Sequence, residues 1–136
     1  MQTTVAAKGR ALISADLFAS PNIPLIDGRG AIWWPHATES AKLYDYTLGH
    51  QVTQTYDFTR AVQVATYEFA PDVIIIVGPG TTLGGAVAQS LILRNWRGLL
   101  GKDDFQARQA SANAPLLAMG VDAQRRRVVS IAPPRR

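Results

Sequence analysis

Asp72-Val-Ile-Ile-Ile-Val-Gly-Pro-Gly-Thr-Thr-Leu-Gly-Gly85 decides the fold class. Five β-branched residues, Val73 to Val77, run without alternation, which is how a strand covered on both faces reads. Gly78-Pro79-Gly80 turns the chain sharply, and Thr81 or Thr82 is placed to cap a helix over about 83–94. Upstream, Phe58, Ala61, Val62, Ala65 and Phe69 make a helical stripe that must face a core, and Pro71 stops it. Helix, strand, glycine turn and helix in succession predict an α/β fold with a partial parallel sheet and flanking helices.

The remaining segments are weaker. Ile23–Asp27 reads as a short strand closed by Gly28-Arg29-Gly30, with Pro24 fixing it as an edge strand or as one whose first residue needs no ladder donor. Thr38 is a candidate N-cap for a helix over about 39–47, ended by Gly49. Asp103–Ala110 suggests a short helix, and Arg127–Ile131 a late strand. Few strands are visible for a sheet that wants both faces covered.

The 136 residues suit one core. With no cysteine there is no disulfide, no thiol nucleophile and no thiolate metal site, and with only His36 and His50 a self-sufficient zinc site is not expected. The net charge of +4 is concentrated at one end: Arg125, Arg126, Arg127, Arg135 and Arg136 leave residues 1–124 with nine basic residues against all ten acidic ones, a net of −1. That reads as a solvated basic tail rather than a nucleic-acid surface. No apolar run is long enough for a bilayer, and Met1–Lys8 lacks a signal peptide's apolar stretch. The expectation is a cytoplasmic protein with no membrane contact.

Chemically, a strand feeding a glycine turn and a helix start offers backbone N–H groups to a phosphate, carboxylate or oxyanion. The nucleotide motifs fail, however. Ala86-Val87 stand where a P-loop needs Lys and Ser/Thr, and Leu83 stands where the third glycine of GxGxxG belongs. The alternative is a tight turn in which Gly84-Gly85 permit close helix–sheet packing. None of the six serines lies in a GxSxG elbow, His36 and His50 follow loop and helix-stop residues, and Asp103-Asp104 read as a helix cap. No residue declares itself a catalyst, and no metal or cofactor is implied.

Leu48–Val62, which holds Gln51, and Phe69–Gly85 together resemble the C-terminal part of malonyl-CoA:acyl-carrier-protein transacylases. Gln51 stands seven residues before Phe58, which takes the place of the tryptophan that starts the family's helix. Gly78, Pro79, Gly80 and Leu83, with Gly85, take the Gly-Pro-Gly-x-x-Leu-x-Gly turn, and Asn22–Asp27 is similar to the strand that follows the family's histidine. Tyr56-Asp57 depart from the family's proline-valine. The resemblance covers about residues 10–95. It implies an acyl-transferase-like segment over 1–95, part of an α/β-hydrolase-like domain, and an extension with a basic tail over 96–136.

In that family serine attacks malonyl-CoA, histidine is the base, and the acyl group passes to acyl-carrier protein for fatty acid biosynthesis. The matching glutamine orients the histidine, a role that falls to Gln51. The family's serine, oxyanion loop, arginine and histidine all precede the matched stretch, and neither His36 nor His50 takes the histidine's place. The resemblance therefore implies a truncated or split enzyme that is inactive alone and that meets malonyl-CoA and carrier protein only with its missing part. The competing expectation is a small α/β module that binds an anionic ligand, CoA or a nucleotide, at the Gly78–Thr82 turn. A third is a structural domain whose turn only packs.

Overall fold

The computed structural model describes residues 18–78, 80 and 82–131. Its contacts divide the chain into two compact units, Met1–Ala61 and Val62–Arg136. The fold is mixed α/β.

The first unit opens with a hairpin. Strand β1, Leu25–Ile26, pairs antiparallel with β2, Ile32–Trp33, with Leu25 opposite Trp33 and Ile26 opposite Ile32. The expected strand over Ile23–Asp27 is thus shorter and Pro24 lies just ahead of it, where its missing N–H costs nothing. Helix α1, Ser40–Asp45, then widens into a π-helical turn, Tyr46–His50, and closes with the short α2, Gln51–Thr53. Two expectations fail here. Gly49 does not end the helix: the wider turn carries it through, and the chain leaves helical geometry only at Gln54 (φ −115°, ψ 154°). Nor does Thr38 cap the start, because its Oγ1 donates back to the Trp34 carbonyl (2.7 Å) and Glu39 takes the N-cap position.

Helix α3, Phe58–Phe69, forms as its stripe predicts and spans the division between the units. Asp57 caps it: the carboxylate accepts the Arg60 N–H (2.9 Å). Ala61 is buried, whereas Phe69 at the far end of the stripe stays 40% exposed.

In the second unit, β3, Ile74–Ile76, pairs in parallel with β4, Leu116–Ala118, in the register Ile74–Leu116, Ile75–Leu117 and Ile76–Ala118. Between them run α4, Leu83–Leu93, a 3-10 turn at Trp96–Gly98, and α5, Lys102–Gln109. Helix α4 ends through Asn95, which takes the left-handed conformation that asparagine tolerates (φ 47°). The expected Asp103-Asp104 cap does not form: Gly101 takes the N-cap position of α5 with no side-chain bond, and Asp104, inside the first turn, accepts the Leu100 N–H (3.1 Å) instead. Leu91, Leu99 and Leu117 are the largest wholly buried side chains and anchor this core.

Two expectations for this unit fail, and one strand comes unannounced. Arg127–Ile131 is not a strand but part of helix α6, Asp122–Ile131. The strand that does pair, β4, has three apolar residues with no β-branching and is invisible to a search for β-branched runs. And β3 is not covered on both faces: Ile76 is buried, but Ile75 is 40% and Val77 81% exposed. Among the described residues β3 has a single strand neighbour.

The outer edge of β4 is closed differently. Leu116 and Ala118 direct their backbone groups away from β3. Gln109 Nε2 donates to the Leu116 carbonyl (2.6 Å) and its Oε1 accepts the Leu116 N–H (3.3 Å), while Gln124 Oε1 accepts the Ala118 N–H (2.7 Å). Two side-chain amides stand in for a missing strand.

Candidate functional site

The first unit carries a polar centre that begins at an Asp-Gly turn. Asp27-Gly28-Arg29-Gly30 reverses the chain between β1 and β2: the Asp27 N–H bonds the Ala31 carbonyl (3.0 Å) and the Gly30 N–H bonds the Asp27 carbonyl (2.9 Å). Gly30 sits at φ 79°, a conformation that favours glycine. The Asp27 side chain folds back over its own turn. Oδ1 accepts the N–H groups of Arg29 (2.8 Å) and Ala31 (3.0 Å). Oδ2 accepts from Arg29 Nε (3.0 Å), Arg29 Nη2 (2.5 Å) and Trp33 Nε1 (3.2 Å).

Asp27 is 4% exposed. Burial pushes its pKa up, but the guanidinium bond from Arg29 and the N–H groups of Arg29 and Ala31 outweigh it and hold the carboxyl below its ordinary range. The same bond raises the Arg29 pKa further above an already high value.

The Gly28 N–H donates to the Tyr46 hydroxyl (2.8 Å), and the Asp57 N–H donates to the Gly28 carbonyl (2.9 Å). The Arg29 guanidinium carbon lies 4.5 Å from the Tyr46 ring centroid, and His50 stacks on the same ring at 5.5 Å. Gly28 faces Tyr56 so closely that a Cβ there would stand 2.4 Å from the ring. Burial, then the neighbouring Tyr46 and the Asp27 charge, raise the Tyr56 pKa.

Gln51, the supporting residue singled out by the resemblance, is exposed at the start of α2. It lines a cleft of about 260 Å3 with Asp27, Trp33, Tyr46, Thr47 and Tyr56. Its amide has no hydrogen-bond partner among the described residues, so both its carbonyl and its NH2 are free to meet an incoming group. Sequence reasoning reached Gln51 and passed over Asp27, whose Asp-Gly pair reads as turn chemistry and nothing more.

The glycine turn belongs to the second unit. Gly78 (φ 115°) and Gly80 (φ 78°) both take left-handed conformations at the carboxyl end of β3, and Pro79 and Thr81 lie outside the described residues. Leu83 is the first residue of α4 and stays half-exposed. Thr82 does not cap that helix. Its backbone is already helical and its hydroxyl makes no capping bond. Gly84 does lie against the sheet: a Cβ there would meet Leu116 at 3.7 Å and Ile76 at 3.9 Å, whereas Gly80 and Gly85 face open space.

The other sequence candidates are accounted for locally. His36 occupies an exposed loop at φ 63°. Asp104 is bonded to Arg108 (3.2 Å) as well as to Leu100. Arg125 pairs with Asp122 (2.6 Å) and Arg127 donates to the Ala112 carbonyl, so part of the basic run is engaged along and beside α6; Arg135 and Arg136 lie outside the described residues. Among the described residues no group of three His, Cys, Asp or Glu could hold a metal ion, and no helix is long and apolar enough to cross a membrane. No protein-family model, curated protein or solved structure matches this chain.

Proposed function

We propose that this chain supplies the C-terminal part of an acyl-transferase domain of the α/β-hydrolase-like kind, for malonyl or acyl transfer from CoA to acyl-carrier protein in the cytoplasm. Gln51 orients a histidine contributed from outside these 136 residues. The observation that carries the reading is the Gln51 amide, which lines the Asp27 cleft and has no hydrogen-bond partner among the described residues. The order of helix Phe58–Phe69, strand Ile74–Ile76, Gly78–Gly80 turn and helix Leu83–Leu93 supports it, since the resemblance requires that succession. A glutamine suits the role: its carbonyl accepts an imidazole N–H and fixes the tautomer without adding charge.

By itself the chain is catalytically incomplete, having no serine elbow and no histidine in the matching place. Incubated alone with malonyl-CoA and carrier protein, it is expected to show background transfer only. Mixed with a transacylase fragment that carries the serine and histidine, it is expected to restore transfer. Gln51→Ala should lower the restored kcat by about tenfold, equivalent to ~1.4 kcal/mol. Acyl-enzyme on any of the chain's own serines, detected by intact mass, would overturn the reading. So would a stable mixed complex that stays inactive.

A second reading rests on the turn. Gly80 faces open space and α4 has no side-chain cap and no acidic residue in its first turn, which leaves backbone N–H groups for an anionic ligand such as CoA or a nucleotide. Calorimetric titration with CoA separates the two readings: saturable binding by the chain alone that Gly80→Ala abolishes favours the module.

A further inference from the structure

One concavity of the second unit lies beyond the Gly78–Thr82 turn and is used by neither reading. A groove of about 550 Å3 runs between α4, α5, β4 and the start of α6, a size typical of small-molecule sites. Its walls are apolar or small: Gly85, Ala88 and Ile92 from α4, Phe105 from α5, Leu116 and Val121 below. A Cβ on Gly85 would meet nothing within 4 Å. The protein's own packing therefore does not demand a glycine there, although glycine costs a helix about 1 kcal/mol relative to alanine.

The polar groups around this groove are unevenly committed. Gln109 and Gln124 have their amides on the backbone of β4. Among the described residues Lys102 is the one charged residue that lines it, and its ammonium has no ion-pair partner there. Among the described residues no carboxylate lines the groove; Asp104 is held by Leu100 and Arg108. Lys102 opens α5, nine residues after Leu93 closes α4, and Ile92 stands next to that end of α4. From Ile92 back to Gly84 the groove follows α4 for about 12 Å at 1.5 Å per residue. Gln106, one helical turn beyond Lys102 on the same face, adds an amide with no hydrogen-bond partner among the described residues.

We infer that this groove is a binding site for a small amphiphile with a single apolar chain and a carboxylate head, the chain lying along α4 over Ala88 and Gly85 and the head at Lys102. A medium-chain fatty carboxylate of about ten carbons matches the length of the groove and its charge. The inference needs no serine, histidine or outside segment and stands apart from the transfer reading.

Calorimetric titration of the full chain with hexanoate, octanoate and decanoate, and with decanol, tests it. Affinity is expected to rise about fourfold per added methylene, the ratio that corresponds to ~0.8 kcal/mol each, and decanoate to bind at least tenfold more tightly than decanol. Lys102→Met should remove the preference for decanoate and keep decanol binding. Gly85→Leu, which fills the groove, should abolish both, and Ala88→Phe serves the same purpose should Gly85→Leu fail to fold. Absence of binding, affinity independent of chain length, equal binding of decanoate and decanol by the wild type, or unchanged binding by a folded groove-filled variant would each overturn the proposal.

Discussion

The Asp27 carboxylate accepts five hydrogen bonds while almost wholly buried. Its folded pKa lies below the unfolded value near 3.9. The ionised form therefore contributes stability that is present above that unfolded value and is lost as pH falls through the folded one. Asp27→Asn is expected to cost about 1–3 kcal/mol at pH 7. The gap from wild type should narrow as pH drops below ~4, which urea melts at pH 7 and pH 3 would reveal. Tyr46→Phe makes a separate test, because it strands the buried Gly28 N–H. An expected loss of about 1–2 kcal/mol should come with faster hydrogen exchange at the Gly28 amide. At the same scale the sequence is readable only where a residue acts on its neighbours. Pro71 stopping α3 after Phe69 is such a case. Tyr46 reaching Gly28, 18 residues away, is not.

Among the elements, α3, β3, α4 and α5 lie close to where periodicity and punctuation put them, because each is specified by a contiguous pattern. β4 was hidden because its partners are distant: Ile74–Ile76 on one side, and Gln109 and Gln124 on the other. The run through Gly49 was hidden for a related reason, since no local pattern announces a π-helical turn anchored by Tyr46 on Gly28. The unbroken apolar run of β3 predicts cover on both faces, yet one edge has no strand neighbour among the described residues and Ile75 and Val77 are exposed. An apolar strand with a free edge invites pairing. Sedimentation velocity is expected to show concentration-dependent self-association, and Ile75→Lys should suppress it with a change in stability within about 0.5 kcal/mol.

For the whole molecule, the α/β class follows from one helix–strand–turn–helix succession, whereas the division at Ala61 and Val62 falls inside a continuous helix that no composition shift marks. The glutamine-closed edge of β4 sets a limit on assembly that follows from its one-sidedness. Fibrils grow when each added strand presents a fresh template on its far side. Here any newcomer that docks on β3 brings a far side already capped by Gln109 and Gln124. Two copies meeting edge to edge about a twofold axis therefore terminate each other. Sedimentation should reach a ceiling at two chains. Gln109→Val, which strips the cap from Leu116, should be the variant that lets the series run on into filaments.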